Sequence, residues 1–277
     1  MRVLVERSRP SVLWNDIAGP SEAKQLWPLL TDYYAAVPDG VINDRWMPWN
    51  PLAAAMRFGP ARKVVDAGAT RQARKDAGLI PPEPPFYDVR TPEYVTFPTI
   101  QRRPWECVRG MDHSFGYNAA SRPDDFLARR DLLWSFVDMV SKNGNLLLNV
   151  GPRGVDAQIP DEQRARLAWL GEWIGPNTDA VRATRPWVRP GDTTAEGVGV
   201  RYTARDEDVF AIVERPGALL TFPDLVGTPT TAVTDLSGAA LPWTATADGL
   251  RVEVGPAPVP GDDPVAFRFR DVGATPA

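Results

Sequence analysis

The sequence has one cysteine, Cys107, and one histidine, His113, among 277 residues. A single cysteine cannot form an internal disulfide, and one residue of each type nearly excludes a zinc site of the Cys/His kind. A serine or cysteine nucleophile would have to use His113 as its base, because the sequence has no other histidine. We therefore expect any catalysis to depend on carboxylates, and we assign no role to Cys107 or His113.

The chain also has no excess of basic residues and no long apolar run. It carries 31 Lys and Arg against 35 Asp and Glu, so we predict no basic surface for nucleic acid or for an anionic membrane. No apolar run reaches the ~18–20 residues that a membrane-spanning helix needs. The start, MRVLVE, lacks the apolar core of a secretory signal, and the protein would be cytoplasmic if this start is genuine.

Hydrophobic residues make up 43% and charged residues 24%, as in ordinary globular proteins, so the chain can bury a sizeable core. The texture changes near residue 186. Residues 186–277 hold 7 basic and 13 acidic residues and no lysine. Short apolar or alternating runs separated by Gly, Pro and Asp predict a small antiparallel β-sandwich in this part. These runs are residues 198–204, 208–214, 218–222, 231–236, 250–255 and 265–270.

Strand and helix patterns alternate in residues 1–185. The predicted strands are 11–16, 41–46, 105–111 and 145–151, and the predicted helices are 21–37, 124–142 and 160–174. This alternation predicts parallel strands with helices outside them. About four β–α units can form an open sheet or half of a closed barrel, which needs eight. Residues 61–77 are predicted as a solvated basic helix, with no function assigned.

In parallel sheets and barrels, side chains at the C-terminal strand ends face the ligand. Polar residues follow an apolar strand at Asp16, at Asp44 and Arg45, and at Asn149. Asp16 could contact a ring-shaped ligand beside Trp14, or it could cap the following turn. Arg45 could hold a substrate through its rigid donor fork, or it could pair with Asp44 and tie neighbouring loops together.

Two carboxylates that flank a scissile bond are what glycoside hydrolysis requires. Glu93, in the loop sequence DVRTPEY, is a second candidate carboxylate, although an isolated loop glutamate is usually only solvated. A sugar site also needs aromatic plates, and core packing is the commoner role of aromatic residues. The candidate plates are Trp14, Trp46, Phe115 and Tyr117.

Several strings, in this order, resemble the C-terminal half of the α-L-fucosidases of glycoside hydrolase family 29. They are SVLWND, GVINDRW, DVRTPEY, HSFGYN, LLWSFVDMVSKNGNLLLNVGPRG and LGEWIGPNTDAVRATRPW, and they span about residues 9–187. The resemblance implies an α/β partial (β/α)₈ TIM-like barrel in residues 1–185, made of about the last four β–α units. A C-terminal all-β antiparallel sandwich in residues 186–277 would follow it. The implied activity is that of a retaining exo-glycosidase that removes terminal α-L-fucose without a metal or organic cofactor.

The same resemblance implies roles for individual residues. Asp16, at the end of LWND, matches the nucleophile, and Trp14 matches a tryptophan of the sugar pocket. Arg45 of the NDR motif matches a substrate-binding arginine. Glu93, in Arg-Thr-Pro-Glu-Tyr, matches the acid/base residue of bacterial members, and Phe115 matches an aromatic residue near the fucose methyl group.

The resemblance leaves several points open. Glu83 and Glu106 compete with Glu93 for the acid/base role. The family's N-terminal half, with its sugar-binding histidines and Glu-Trp pair, has no counterpart here, so the resemblance predicts an N-terminally truncated chain. Alternatives are an inactive or carbohydrate-binding remnant and a retaining glycosidase for another terminal sugar, such as an α-galactoside. The expected partner is a fucosylated oligosaccharide or glycoconjugate, not nucleic acid or a membrane, and a homo-oligomer is left open.

Overall fold

The computed structural model describes residues 1–16, 23–46, 78–81, 83–255 and 263–275. Contacts divide the chain into two compact units, Met1–Val95 with Arg103–Val108, and Thr96–Arg102 with Arg109–Ala277. Neither unit has a boundary at residue 186, and the assignment of domains 1–185 and 186–277 stays a prediction. The helix predicted at 61–77 lies outside the described residues.

The first unit contains a parallel strand pair joined through a helix. Its elements are α1 (Arg2–Ser8), β1 (Val12–Leu13), α2 (Ala23–Ala36) and β2 (Val41–Ile42), and β3 (Trp105–Arg109) lies mostly within it. β1 and β2 pair in parallel, with Val12 opposite Val41. Parallel neighbours need a long crossover, which α2 provides. The predicted elements are therefore present, although both strands are shorter than predicted and α1 was not foreseen.

The core of this unit forms on one face of α2. Leu26, Leu30 and Tyr33 recur at helical spacing and are almost fully buried. They pack with residues of the strand pair and of α1, among them Leu13 and Val5. The spacing of apolar residues thus fixes which face of the helix covers the two strands.

The second unit joins helices to an all-β region. It contains α3 (Arg129–Ser141), β4 (Gly144–Leu148) and α4 (Asp161–Val181). The later strands are β5 (Arg185–Pro186), β6 (Val200–Arg205), β7 (Asp208–Val213), β8 (Leu219–Phe222), β9 (Leu225–Asp235), β10 (Trp243–Thr246), β11 (Gly249–Glu253) and β12 (Val265–Ala274). No helix in the described ranges is long and apolar enough to span a membrane.

The later strands form two sheets, with the orders β5-β6-β7-β12-β9 and β10-β11-β8. Their paired strands are antiparallel, as in the register that sets Val213 opposite Val265. Both sheets contribute to one buried cluster, to which Tyr202, Phe222, Leu250 and Phe267 belong. The antiparallel sandwich expected for the C-terminal part is therefore present.

β7 is buried on both of its faces. Val209 and Ala211 face the cluster inside the sandwich, whereas Phe210 and Ile212 pack in a second cluster. That second cluster includes Leu133, Val137 and Trp173 from α3 and α4. The helices before residue 186 and the sheet after it consequently share a hydrophobic core.

Candidate active site

One guanidinium joins two of the carboxylates singled out in the sequence. A terminal nitrogen of Arg45 lies 3.0 Å from Oδ1 of Asp16, and the other lies 2.6 Å from Oε1 of Glu93. The Arg45 side chain is 10% exposed and that of Glu93 20%, whereas the Asp16 side chain is 77% exposed. A mostly buried cation thus contacts one sheltered carboxylate and one that is open to an incoming molecule.

Asp16 and Arg45 come together because they follow neighbouring parallel strands, β1 and β2. The ends of these strands are tied by the side chains of Asn15 and Asn43. The Asn43 amide accepts a hydrogen bond from the Asn15 backbone N–H (2.9 Å) and donates one to the Asn15 carbonyl (2.7 Å). Asn15 also donates its side-chain amide to the carbonyl of Arg45 (2.9 Å). These bonds fix the register of the two strand ends that carry the site.

Glu93 is held in place through its backbone. Glu93 and Leu79 exchange two N–H···O bonds, of 2.7 and 2.8 Å. Tyr94, which follows, has a φ of 55° in the left-handed region and donates its N–H to the carbonyl of Val108 on β3 (3.1 Å). A Cβ on Gly78 would lie 2.1 Å from the Glu93 carbonyl oxygen, so this close approach requires glycine.

The shared contact with Arg45 limits the distance between the two carboxylates. Because both touch one planar guanidinium, their nearest oxygens are no more than ~8 Å apart. This limit covers the ~5–5.5 Å of retaining glycosidases and part of the ~6.5–9.5 Å range of inverting ones. The shared contact with Arg45 is thus compatible with either spacing of two carboxylates.

The aromatic candidates differ in their surroundings. Trp14 is half-buried and lies two residues before Asp16. Trp46 is buried, and its indole N–H donates to the carbonyl of Leu13 (3.2 Å), so it is a core residue and its interpretation as a sugar plate was wrong. Phe115 belongs to the second unit, where it is half-buried and its carbonyl oxygen accepts the side-chain amide of Asn149.

The competing glutamates have other partners. Glu83 contacts the hydroxyl of Tyr87 and lies 3.7 Å from a guanidinium nitrogen of Arg90. Glu106, on β3, is half-buried, and this burial raises the pKa of its carboxyl group. A raised pKa suits a general acid, and this favours Glu106. Glu93, however, contacts the guanidinium of Arg45, which also contacts Asp16.

The suggested Asp44–Arg45 ion pair was wrong. The fully buried Asp44 carboxylate pairs instead with Arg90, whose Nε lies 2.8 Å from Oδ2. Its other oxygen accepts both the backbone N–H (3.0 Å) and the hydroxyl (2.6 Å) of Thr91. The sequence analysis did not select Thr91 as a site residue. Its position immediately before Pro92 and Glu93 was the feature that could have indicated it.

The described residues contain no group of three or more His, Cys, Asp and Glu side chains that could hold a metal ion. A family model described as Alpha-L-fucosidase matches residues 1–179. The chain belongs to this family.

Proteins of the family resemble the chain in sequence and in structure. An alpha-L-fucosidase of Branchiostoma floridae is 36% identical over 160 residues, which are 56% of this chain and 35% of that protein. One from Dictyostelium discoideum is 30% identical over 189 residues, covering 62% and 39%. The alpha-fucosidase of Thermotoga maritima, solved with a mechanism-based inhibitor, superimposes with a TM-score of 0.73 at 29% identity.

The chain covers only part of these relatives. The Thermotoga superposition includes 97% of this chain but 54% of the solved one. The chain therefore spans about half the length of that solved relative and less than half of the two curated ones.

Proposed function

We propose that this chain carries the catalytic carboxylates of a retaining exo-α-L-fucosidase. The observation that carries the proposal is the contact of Asp16 and Glu93 with one Arg45 guanidinium at the ends of parallel strands. Family membership supports it, and a solved Thermotoga relative is described in complex with fucose. The fold we propose for the α/β part is the last four β–α units of a TIM-like barrel.

The reaction needs a nucleophile and a proton donor. The Asp16 carboxylate attacks the anomeric carbon while the bond to the leaving oxygen breaks, and Glu93 gives that oxygen its proton. Glu93 then takes a proton from water, which displaces Asp16 and releases fucose. Arg45, which contacts both carboxylates through its two terminal nitrogens, would hold them in position for both steps.

Trp14 would add an aromatic surface to the sugar site. Trp14 stands two residues before Asp16, where its half-buried indole can pack on a pyranose. Fucose has an apolar methyl group where other hexoses carry a hydroxymethyl. The family resemblance proposes Phe115 as the residue that contacts this methyl, a preference of ~1–3 kcal/mol.

The test is hydrolysis of aryl α-L-fucoside and aryl α-galactoside by this chain and two variants. Asp16→Gly should abolish turnover of the fucoside. Glu93→Gly should slow it by ~10²–10⁴-fold, because it removes general acid–base catalysis, and azide should restore product as fucosyl azide. Glu83→Gly, which removes an exposed glutamate, is the matched control and should keep most of the activity.

Other results would point elsewhere. Faster hydrolysis of the α-galactoside than of the α-L-fucoside would show that the chain acts on another terminal sugar. Binding of fucose without turnover would identify a carbohydrate-binding remnant. Unchanged turnover in Glu93→Gly would eliminate Glu93 as the acid/base, and Glu106 would be the next residue to replace.

A further inference from the structure

Asp44 is a buried carboxylate whose two oxygens both contact residues of the segment that precedes Glu93. Its side chain is completely buried and contacts Arg90 through one oxygen and Thr91 through the other. Arg90 also donates to the carbonyl of Pro81 (2.8 Å). A buried carboxylate is tolerated when donors satisfy its oxygens, and such a site strongly prefers one geometry of the surrounding backbone.

The Thr91 hydroxyl connects this buried charge to Arg45. The hydroxyl has one proton, which it donates to Asp44 (2.6 Å), so its lone pairs remain for a donor on the other side. Nε of Arg45 is that donor, at 3.0 Å. The Thr91 carbonyl also accepts from a terminal nitrogen of Arg45 (3.2 Å). Asp44 therefore orients Thr91, and Thr91 fixes the plane of the guanidinium.

This arrangement acts on both carboxylates of the candidate site. The guanidinium plane determines where Arg45 can meet Asp16 and Glu93, since its five donors form a rigid fork. The same Asp44 contacts hold Thr91 two residues before Glu93, so they also set the path of the backbone that carries it. One buried charge thus controls the position of the cation and of the proposed acid.

We propose that Asp44 and Thr91 are positioning residues, which hold Arg45 and Glu93 in the geometry that protonates the leaving group. The proposal rests on the proposed function. It assigns these two side chains no contact with substrate: they act through Arg45 and through the backbone before Glu93.

The test compares substrates that differ in their need for an acid. Phenyl α-L-fucoside needs protonation of its leaving group, whereas 2,4-dinitrophenyl α-L-fucoside leaves as a stable anion. The parameter is kcat/KM, which reports the first chemical step. Thr91→Val removes the hydroxyl, and Thr91→Ser is its matched control because it keeps both hydrogen bonds.

We expect Thr91→Val and Asp44→Asn to lower kcat/KM for the phenyl substrate by ~10–100-fold, because a small displacement of a catalytic group costs that much. The loss should be clearly smaller for the dinitrophenyl substrate. Thr91→Ser should behave like the unaltered chain. Asp224→Asn should also keep the leaving-group dependence, since Asp224 pairs with Arg189 in the sandwich (2.7 Å).

Equal losses for both substrates in Thr91→Val, or no loss, would overturn the proposal, as would an equal loss in Thr91→Ser. A second readout is the NMR signal of the Arg45 Nε–H, which should be protected from solvent exchange. The signal should persist in Thr91→Ser and lose its protection in Thr91→Val and Asp44→Asn.

If the unaltered chain hydrolyses neither fucoside, the proposed function fails for this chain, and the NMR signal alone judges the positioning of Arg45. A protected signal that depends on the Thr91 hydroxyl would then support the arrangement. An unprotected signal in the unaltered chain would refute it.

Discussion

Replacing Phe210 with alanine should destabilise the helices before residue 186 together with the sandwich after it. Phe210 lies on β7 with no exposed surface, on the face that packs against α3 and α4. The guanidinium carbons of Arg205 and Arg268 lie over its ring, 5.8 and 5.5 Å from the ring centroid. Truncation would open a cavity between the sheet and both helices.

The size of the effect follows from this burial. Phe→Ala replacements in closed cores cost ~3–5 kcal/mol, because the lost burial adds to the cost of the cavity. A whole domain is stable by only ~5–15 kcal/mol, so the variant should lose about a fifth or more of that margin. With a urea dependence of ~3 kcal/mol/M for a chain of this size, the unfolding midpoint should fall by ~1–1.7 M.

Urea unfolding and amide hydrogen exchange measure this effect. In Phe210→Ala, amides of α4 and of β6–β7 should lose protection together, because one core joins them. The control is Leu219→Ala on β8, where the residue is already 41% exposed and the expected cost is ~1 kcal/mol or less. Lost protection confined to the sandwich, with α4 unchanged, would refute the shared core and favour an independent domain that begins near residue 186.

Two further predictions concern a charge pair and a close backbone contact. Hydrogen bonding to Arg205 and the nearby Arg268 hold the pKa of Asp179 below its usual range. Because the pKa of Asp179 is lower in the folded state, its ionised form stabilises the fold at pH values above the unfolded-state pKa, and this stabilisation is lost as the pH falls. Asp179→Asn should therefore cost up to ~1 kcal/mol at pH 7 in this part-exposed site. The difference in urea midpoint should shrink below pH ~4, and an equal difference at pH 7 and pH 3 would exclude the ion pair as its cause. Gly78→Ala should cost ~1–3 kcal/mol in urea unfolding and speed amide exchange at Glu93, because the added methyl meets the Glu93 carbonyl; unchanged exchange there would show that the contact is not tight.

The sequence predicted elements best where local pattern and packing agree. The run DVFAIVE predicted a strand, and β7 confirms it. The local pattern could not explain why this strand is apolar on both of its faces. α3 and α4 cover its second face, and they come from distant parts of the chain. β10 was missed because its residues are mostly exposed or half-buried and show no clear alternation.

The N-terminal helix α1 was missed for a related reason. It has no side-chain cap and no acidic residue in its first turn, so the usual signals of a helix start are absent. Val5 is its buried residue, and it packs in the cluster that includes Leu13 of β1. The stabilising contact is tertiary, which a search for start and stop signals does not detect.

At the candidate site, the strand-end rule selected Asp16 and Arg45, and the structure joins them. The rule works because β1 and β2 are parallel neighbours and their ends meet at one edge. It could not connect Arg45 to Glu93, which lies on an irregular segment held by Leu79 and Val108. The family resemblance, and not the periodicity of the sequence, assigned Glu93 to the same site as Arg45.

The order of charges in the NDR motif explains why two adjacent residues have separate partners. Asp44 and Arg45 follow one another after β2, and a pair between them would neutralise both locally. Asp44 is instead neutralised in the interior by Arg90, which comes from the segment that also carries Glu93. That pairing leaves the whole fork of Arg45 to Thr91, Asp16 and Glu93. If Asp44 took Arg45 as its partner, the Arg90 charge and the two site carboxylates would each lose a counter-charge, so the observed pairing satisfies more charges than the local one.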